Sequence, residues 1–198
     1  MEMEIPYTVH ERPDTGLYNG KLGIWLFLAS EVMLFGSLFS ALVMLRTGAA
    51  SWPHGYEILN IPLATLNTFV LIASSVTVVL AWASLRLGDF AKGKLYLIAT
   101  LGCGGIFMII KAIEYGTKFS HGQFPRTNNF FATYYTLTGL HGLHVVGGML
   151  VFAWLIWPGA KMWLHERQRY INRVETTGLY WHFVDLVWIF LFPTLYLL

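Results

Sequence analysis

The sequence predicts an all-α, polytopic membrane protein in which five transmembrane helices form a bundle. Three observations lead to this fold class: 56% of the 198 residues are hydrophobic, only 12% are charged, and the apolar residues are concentrated in five long runs. A soluble domain carries about 25% charged residues, because its surface faces water. The high apolar and low charged content excludes a disordered chain and a coiled coil. The single cysteine excludes a disulfide scaffold.

Five apolar runs are long enough to cross a bilayer core, which needs about 20 helical residues. The first begins at KLGIWLF after a polar tail, and the second follows the turn-rich segment SWPHGYEILN. LGDFAKGK precedes the third run, TKFSHGQFPRTNN precedes the fourth, and PGAKMWLHERQRYINRVE precedes the fifth. A tail of residues 1–20 therefore leads into one domain of residues 21–198. The predicted spans are about 21–46, 61–86, 95–116, 131–157 and 176–197.

The placement of lysine and arginine predicts the orientation of the helices, because basic residues accumulate on the cytoplasmic side. Nine lie on the side of the N-terminus: Arg12, Lys21, Arg86, Lys92, Lys94, Lys161, Arg167, Arg169 and Arg173. Four lie on or near the opposite side: Arg46, Lys111, Lys118 and Arg126. We therefore expect a cytoplasmic N-terminus and an external C-terminus. A net charge of +2 gives no indication of a nucleic-acid partner.

Ionisable side chains within the predicted spans are the candidate functional residues, because such groups are costly in hydrocarbon. The informative ones are Glu31, Glu114, His141, His144, His182 and Asp185. At about 1.5 Å of rise per residue, the depths of Glu31, His144 and Asp185 fall near the membrane midplane. We predict that Glu31 hydrogen-bonds His144 rather than His141, since an imidazole partner makes a buried carboxyl tolerable.

Helical spacing places several of these residues on shared faces. Along the fifth span, polar and small residues recur at intervals of three, four and three: Glu175, Gly178, His182 and Asp185. The fourth span has a similar face formed by Thr138, His141, His144 and Gly148. Such faces favour contacts between helices, because small residues allow close approach and polar residues bond across the seam. Asn67 and Ser74 are expected on a contact face of the second span, and Lys111 with Glu114 as an intrahelical pair.

Three interpretations of this polar cluster remain open from the residues alone. The first is structural, with carboxylates and imidazoles satisfying one another and fixing the packing, as we expect for His182 and Asp185. The second is a metal or haem site that includes His141 and His144, although such sites need more ligands or facing histidines. The third is a proton-handling role for Glu31, whose charge state depends on desolvation and on its partner.

Motifs on all five predicted spans together resemble the cytochrome c oxidase subunit III family. The matching phrases are SEVMLFGSLFSALVMLR with Glu31, PLATLNT with Asn67, LGCGGIFMIIKAIEY with Glu114, TGLHGLHVVGG with His141 and His144, and VETTGLYWHFVDLVWIFLF with Glu175, His182 and Asp185. They occur in the family's order over about residues 20–198. Longer family members have seven helices, and this chain resembles their last five, as in the short bacterial form.

The resemblance implies a multi-pass subunit of a bacterial plasma-membrane complex that oxidises cytochrome c, reduces oxygen and pumps protons. It implies no catalytic, cofactor-binding or metal-binding residue in this chain, because haems and copper belong to the first two subunits. Subunit I is the expected main contact, with subunit II, other subunits, a respiratory supercomplex or bound phospholipid as further partners. In the family, this subunit stabilises the catalytic subunit and supports proton uptake, and the glutamate matching Glu31 is the buried carboxyl that carbodiimides modify.

Other functions are compatible with parts of this sequence. The equivalent subunit of a quinol oxidase, or a homologue associated with nitric-oxide reductase, would look nearly the same, because the second subunit determines the electron donor. A free-standing haem-binding membrane anchor is a more distant alternative. A secondary transporter would use midplane charges to bind substrate, but five helices without a detectable repeat argue against it.

Overall fold

A computed structural model describes residues 9–198, and these residues are helical apart from turns and connecting segments. Seven α-helices occur in this range: α1 (Asn19–Gly48), α2 (Gly55–Ile58), α3 (Ile61–Arg86), α4 (Phe90–Ser120), α5 (Asn129–Ile156), α6 (Met162–His165) and α7 (Arg167–Phe192). A 3₁₀ turn, Gly159–Lys161, precedes α6, and a π-helical segment, Pro193–Leu197, extends α7. Five of these helices are long and apolar enough to cross a membrane, which confirms the predicted fold class.

Two of the long helices extend well beyond the apolar runs from which they were predicted, whereas α3 coincides with the predicted span of 61–86. The fifth begins at Arg167 rather than near residue 176, because its polar first turns still bury Tyr170, Ile171 and Val174 against the bundle. Helix α4, which contains the third predicted span, covers Phe90–Ser120 instead of 95–116. Hydropathy marks the part of a helix that lies in hydrocarbon, whereas the helix itself continues until its backbone groups are capped.

Polar side chains define where three of the long helices begin. Asn60 Oδ1 accepts a hydrogen bond from Leu63 N at 3.1 Å, and the Asp89 carboxylate accepts one from Lys92 N at 3.0 Å. The Asn128 side chain caps the start of α5 in the same way. These are N-cap interactions, in which a side chain satisfies an amide that the first helical turn leaves free. The short link between α3 and α4 also needs Gly88, whose φ of +93° is unfavourable for other residues.

Helix α7 is the centre of the bundle. It contacts α1, α3 and α5. Half of the residues in its most apolar stretch are buried, against 17% of those in the corresponding stretch of α1. Its two tryptophans, Trp181 and Trp188, are completely buried. The outward faces of the surrounding helices expose large apolar side chains, such as Met33 of α1 and Phe69 of α3. An apolar exterior around a polar seam is the arrangement expected in lipid.

Two glycines determine how closely α4 and α5 approach α7. A Cβ atom at Gly148 would lie 2.7 Å from the Trp181 ring, and one at Gly104 would lie 3.1 Å from the same ring. The Trp181 indole therefore occupies a slot between the backbones of α4 and α5. This close packing brings α4, α5 and α7 together around one buried ring.

Candidate functional site: buried polar clusters of the bundle

The predicted contact between the first and fourth spans is present. Glu31 Oε2 lies 2.9 Å from His144 Nε2, and both side chains are largely buried. The other ring nitrogen, Nδ1, lies 2.8 Å from the Leu140 carbonyl oxygen and must carry a hydrogen, because that oxygen can only accept. A neutral His144 in this tautomer has no hydrogen on Nε2. The bond to Glu31 therefore needs one proton, carried either by the carboxyl or by the imidazole.

Aromatic side chains surround the Glu31–His144 pair. The Phe35 ring lies 5.2 Å from the His144 ring, centroid to centroid, and Tyr180 stacks beside it at 6.4 Å. The Tyr180 hydroxyl also donates to the His144 carbonyl oxygen at 2.9 Å. These contacts hold the imidazole in one orientation and join α1, α5 and α7 at one point. The pair and its aromatic neighbours thus tie three helices together.

His141 lies apart from this pair, although the sequence placed both histidines on one helix face. Its ring is fully buried beside Phe107 and Trp188, at centroid distances of 5.5 and 5.3 Å. Neither ring nitrogen has a hydrogen-bond partner among residues 9–198. A spacing of three residues rotates the second side chain by about 60° around the helix, so His141 points toward α4 and α7 while His144 points toward α1. The two imidazoles do not converge on one ligand.

The third span carries a buried ion pair that the sequence predicted in part. Lys111 Nζ donates to Glu114 Oε2 at 2.9 Å, as expected for neighbours three residues apart. Tyr134 donates to Glu114 Oε1 at 2.9 Å, and the Tyr196 hydroxyl contacts both Glu114 and Lys111. Lys111 Nζ also lies 4.8 Å from the Trp188 ring centroid. The tyrosines come from distant parts of the chain, so sequence reasoning missed them.

A second lysine lies near this ion pair and was also missed. Lys118 is 5% exposed, and its ammonium has one weak hydrogen bond, 3.5 Å to the Ile58 carbonyl oxygen. The Tyr134 ring centroid lies 5.4 Å from the same ammonium. The sequence placed Lys118 in a polar loop on the outer side, where lysine is ordinarily solvated.

Helices α3 and α7 are joined by a seam of hydrogen bonds. Trp181 Nε1 donates to Ser74 Oγ at 2.9 Å, and Trp188 Nε1 donates to Thr68 Oγ1 at 3.0 Å. Ser74 therefore faces α7, whereas the amide of Asn67 donates to the Phe107 carbonyl oxygen of α4 at 3.4 Å. The contact face predicted for Asn67 and Ser74 is thus divided between two neighbouring helices.

His182 and Asp185 do not satisfy each other as predicted. His182 Nδ1 lies 2.5 Å from Ser75 Oγ, across the α3–α7 contact. Asp185 is 5% exposed, and neither of its oxygens has a well-directed hydrogen bond within residues 9–198. Ser75 is near this carboxyl, but its hydroxyl is engaged by His182. A spacing of three residues placed both side chains on one face, but the partner helix supplies a hydroxyl for only one of them.

Glu175 connects the first turn of α1 to the N-terminal half of α7. Lys21 Nζ donates to Glu175 Oε1 at 2.7 Å, and the Tyr18 hydroxyl donates to Oε2 at 3.1 Å. Burial and the adjacent Glu175 charge raise the pKa of the Tyr18 phenol well above its usual range, so the phenol keeps its proton and remains a donor. The structure thus places Glu175 in an ion pair with the start of α1, about two helical turns before His182 and Asp185 of α7.

No three histidine, cysteine, aspartate or glutamate side chains come together as a possible metal site within residues 9–198. The predicted absence of a cofactor in this chain stays a prediction. The clusters offer a hydrogen bond that contains one proton at Glu31–His144, and ionic and hydrogen-bonded contacts between helices elsewhere.

Comparisons with known proteins agree with the resemblance seen in the motifs. The family model described as cytochrome c oxidase subunit III matches residues 10–198. The chain is 34% identical to a cytochrome c oxidase subunit 3 of Thermostichus vulcanus, over 96% of this chain and 90% of that relative. A subunit 3 of the same name from Bacillus sp. strain PS3 is also 34% identical, over 91% and 86%. A cytochrome bo(3) ubiquinol oxidase subunit 3 of Pseudomonas aeruginosa is 32% identical, over 91% and 85%.

Proposed function

Because the chain belongs to the cytochrome c oxidase subunit III family, we propose that it is a non-catalytic subunit that stabilises the catalytic subunit of its oxidase and supports proton uptake. Family membership and the five apolar helices identify it as subunit III of a haem–copper oxidase and a multi-pass plasma-membrane protein. Its proposed contribution is mechanical and electrostatic, with the haems and copper held by partner subunits.

The Glu31–His144 contact is the observation that best supports this proposal. The pair joins α1 to α5 inside the membrane through a bond that needs one proton. Tyr180 of α7 secures the same point. Helices fixed in this way present a constant outer surface, which a stabilising subunit needs if a partner is to pack against it. We propose that subunit I packs against this surface, with subunit II and other partners contributing less.

Cytochrome c is the proposed electron donor of the complex. The relatives include subunits named for cytochrome c oxidases and for ubiquinol oxidases. We propose that the polar clusters of this chain do not determine whether cytochrome c or ubiquinol is the electron donor, because the donor binds to another subunit. Oxidation of reduced cytochrome c and of ubiquinol by the purified complex separates the two: cytochrome c oxidation supports our proposal, and oxidation of ubiquinol alone would contradict it.

Removal of this chain from the native oxidase tests its proposed role. We expect the complex without the chain to begin turnover at a rate close to that of the intact complex and then to lose activity sooner. Proton uptake should slow first at high pH, where protons are scarce. The measurements are oxygen consumption over time and proton uptake in reconstituted vesicles. Equal lifetimes and equal proton uptake with and without the chain would contradict the proposal.

A further inference from the structure

One side of helix α7 is left uncovered by the rest of the bundle. Helices α1 and α3 both pack against α7 but have little contact with each other, so the helices around α7 form an arc that is open between α1 and α3. On α7, Leu186 and Ile189 remain 51% and 47% exposed. The central helix of the bundle therefore still offers one face to a neighbour.

A groove of about 200 Å³ runs between α3 and α7 at this uncovered face. The side chains that line it are mostly apolar and come from both helices, among them Val79, Trp82, Leu179 and His182. His182 lies at the middle of the spanning stretch Arg167–Leu197, about 22 Å along the helix from either end. The α3–α7 groove thus holds an imidazole at the depth of the hydrocarbon core.

Two neighbours, Asp185 and Ser75, determine which nitrogen of His182 carries the hydrogen. Asp185 is 5% exposed, and neither of its oxygens has a cation or a well-directed hydrogen bond within residues 9–198. The carboxyl is therefore neutral, because an isolated charge is much less stable when it is buried. Ser75 Oγ lies beside this carboxyl and can accept its hydrogen, while it donates its own to His182 Nδ1 at 2.5 Å. A neutral imidazole that accepts at Nδ1 has its hydrogen on Nε2.

Two N–H donors of the groove have no acceptor in the part of the chain that the structure describes. His182 Nε2 forms no hydrogen bond there, and neither does the indole nitrogen of Trp82. A polar group without a partner is costly in hydrocarbon. The oxygens of phospholipids lie at the edges of the core, about 15 Å from its centre, so acyl chains offer His182 no acceptor. A protein helix can carry an acceptor at any depth.

We infer that a transmembrane helix of a partner subunit packs along the α3–α7 groove and presents a hydrogen-bond acceptor to His182 Nε2. The acceptor is a neutral oxygen, such as that of a serine, threonine, asparagine or glutamine side chain, because these groups join helices inside membranes. Apolar side chains of the same helix pack against Val79 and Leu179. The inference rests on the proposed function, which requires a partner subunit but specifies neither the face of this chain nor the bond.

Two replacements of His182 in the oxidase complex separate the bond to the partner from the bond to Ser75. An asparagine amide takes the position of Nδ1, whereas a glutamine amide reaches the position of Nε2. We expect His182→Asn to dissociate from the purified complex at least about tenfold more readily on dilution in detergent, because the bond to the partner is lost. His182→Gln should stay bound. Retention of His182→Asn equal to that of the wild type would overturn the inference.

A bulky side chain in the groove provides a second test that does not depend on His182. Val79→Trp fills the groove from α3, where Val79 is 48% exposed. Ile109→Trp adds the same indole to an exposed position of α4 and is the matched control. We expect Val79→Trp to weaken retention of this chain in the oxidase and Ile109→Trp to behave like the wild type. The reverse result would overturn the inference.

Photocrosslinking identifies what covers this face. With p-benzoylphenylalanine in place of Leu186, one turn after His182, we expect the purified oxidase to form an adduct with a membrane-spanning peptide of another subunit. Adducts with lipid or quinone alone would overturn the inference. Adducts with a subunit from Ile109 but not from Leu186, in a complex that retains this chain, would overturn the inference and leave the proposed function intact. A purified oxidase that lacks this chain would contradict the proposed function, and the inference with it.

Discussion

Glu31 shows most directly what a single buried residue does in this protein. We expect Glu31→Gln to assemble and respire almost normally, because the amide can donate to His144 Nε2 and replace the bond that needs a proton. Glu31→Ala removes the partner of a buried imidazole, which costs about 1–3 kcal/mol of stability. Thermal denaturation and oxygen consumption of the purified complex measure both effects.

The alternative role of Glu31 in proton supply gives a different pattern in the same variants. Glutamine cannot titrate, so Glu31→Gln would then lower turnover or pumping, and the loss would appear first at high pH. A pH profile of Glu31→Gln parallel to that of the wild type supports the structural role that we expect. A selective loss at high pH in a stable complex would contradict it.

His182 provides a second test at the residue scale. His182→Ala removes the bond to Ser75 between α7 and α3, so we expect weaker assembly of the complex with little change in any isolated chemical step. Ser75→Ala removes the same bond from the other side and should have a similar effect. The double variant should lose less than the sum of the two single variants, because the residues are in contact. A fully stable His182→Ala complex that specifically fails to reduce oxygen would refute this role.

At the scale of helices, the α5–α7 contact depends on a glycine that admits an indole. Gly148→Ala would place a Cβ atom 2.7 Å from the Trp181 ring, so the helices must move apart. We expect a loss of about 1–3 kcal/mol, which is typical of overpacking. Gly147→Ala is a matched control, since its Cβ atom would lie at an ordinary 3.5 Å from the Tyr180 hydroxyl.

The control variant should be neutral or slightly stabilising, because alanine favours a helix by about 1 kcal/mol over glycine. Thermal denaturation and the yield of assembled complex distinguish the two variants. Equal stability of Gly148→Ala and Gly147→Ala would show that α5 and α7 are not held at the distance described.

At the scale of the whole molecule, the orientation predicted from basic residues can be measured by labelling. In a Cys103→Ala background, we expect Arg126→Cys to react with an impermeant thiol reagent added outside the cell. His165→Cys, in the segment before α7, should react only after the cytoplasmic face is opened. Both positions are exposed, so accessibility is set by the membrane. The reverse pattern would invert the topology.

The whole chain is also predicted to bind no metal or haem of its own. The sequence offers a single cysteine and no set of facing histidines from which a redox centre could be built. Elemental analysis and a visible spectrum of the isolated chain check this. A stoichiometric content of iron or copper, or a Soret band, would refute the prediction.

The sequence alone determined the features that depend on distance along the chain. Length and hydropathy indicated five membrane-spanning helices, and those helices are present. Depth in a helix follows from the residue number, and it led to the contact between Glu31 and His144. The intrahelical pair of Lys111 and Glu114 follows from a spacing of three residues in the same way.

Only the tertiary structure decided which neighbour each side chain meets. It separated His141 from His144, paired His182 with Ser75 instead of Asp185, and buried Lys118 beside an ion pair already complete. These outcomes depend on the rotation and tilt of each helix and on residues far away in the chain, such as Tyr134 and Tyr196. Local periodicity carries no information about such partners, because close packing of several helices selects them together.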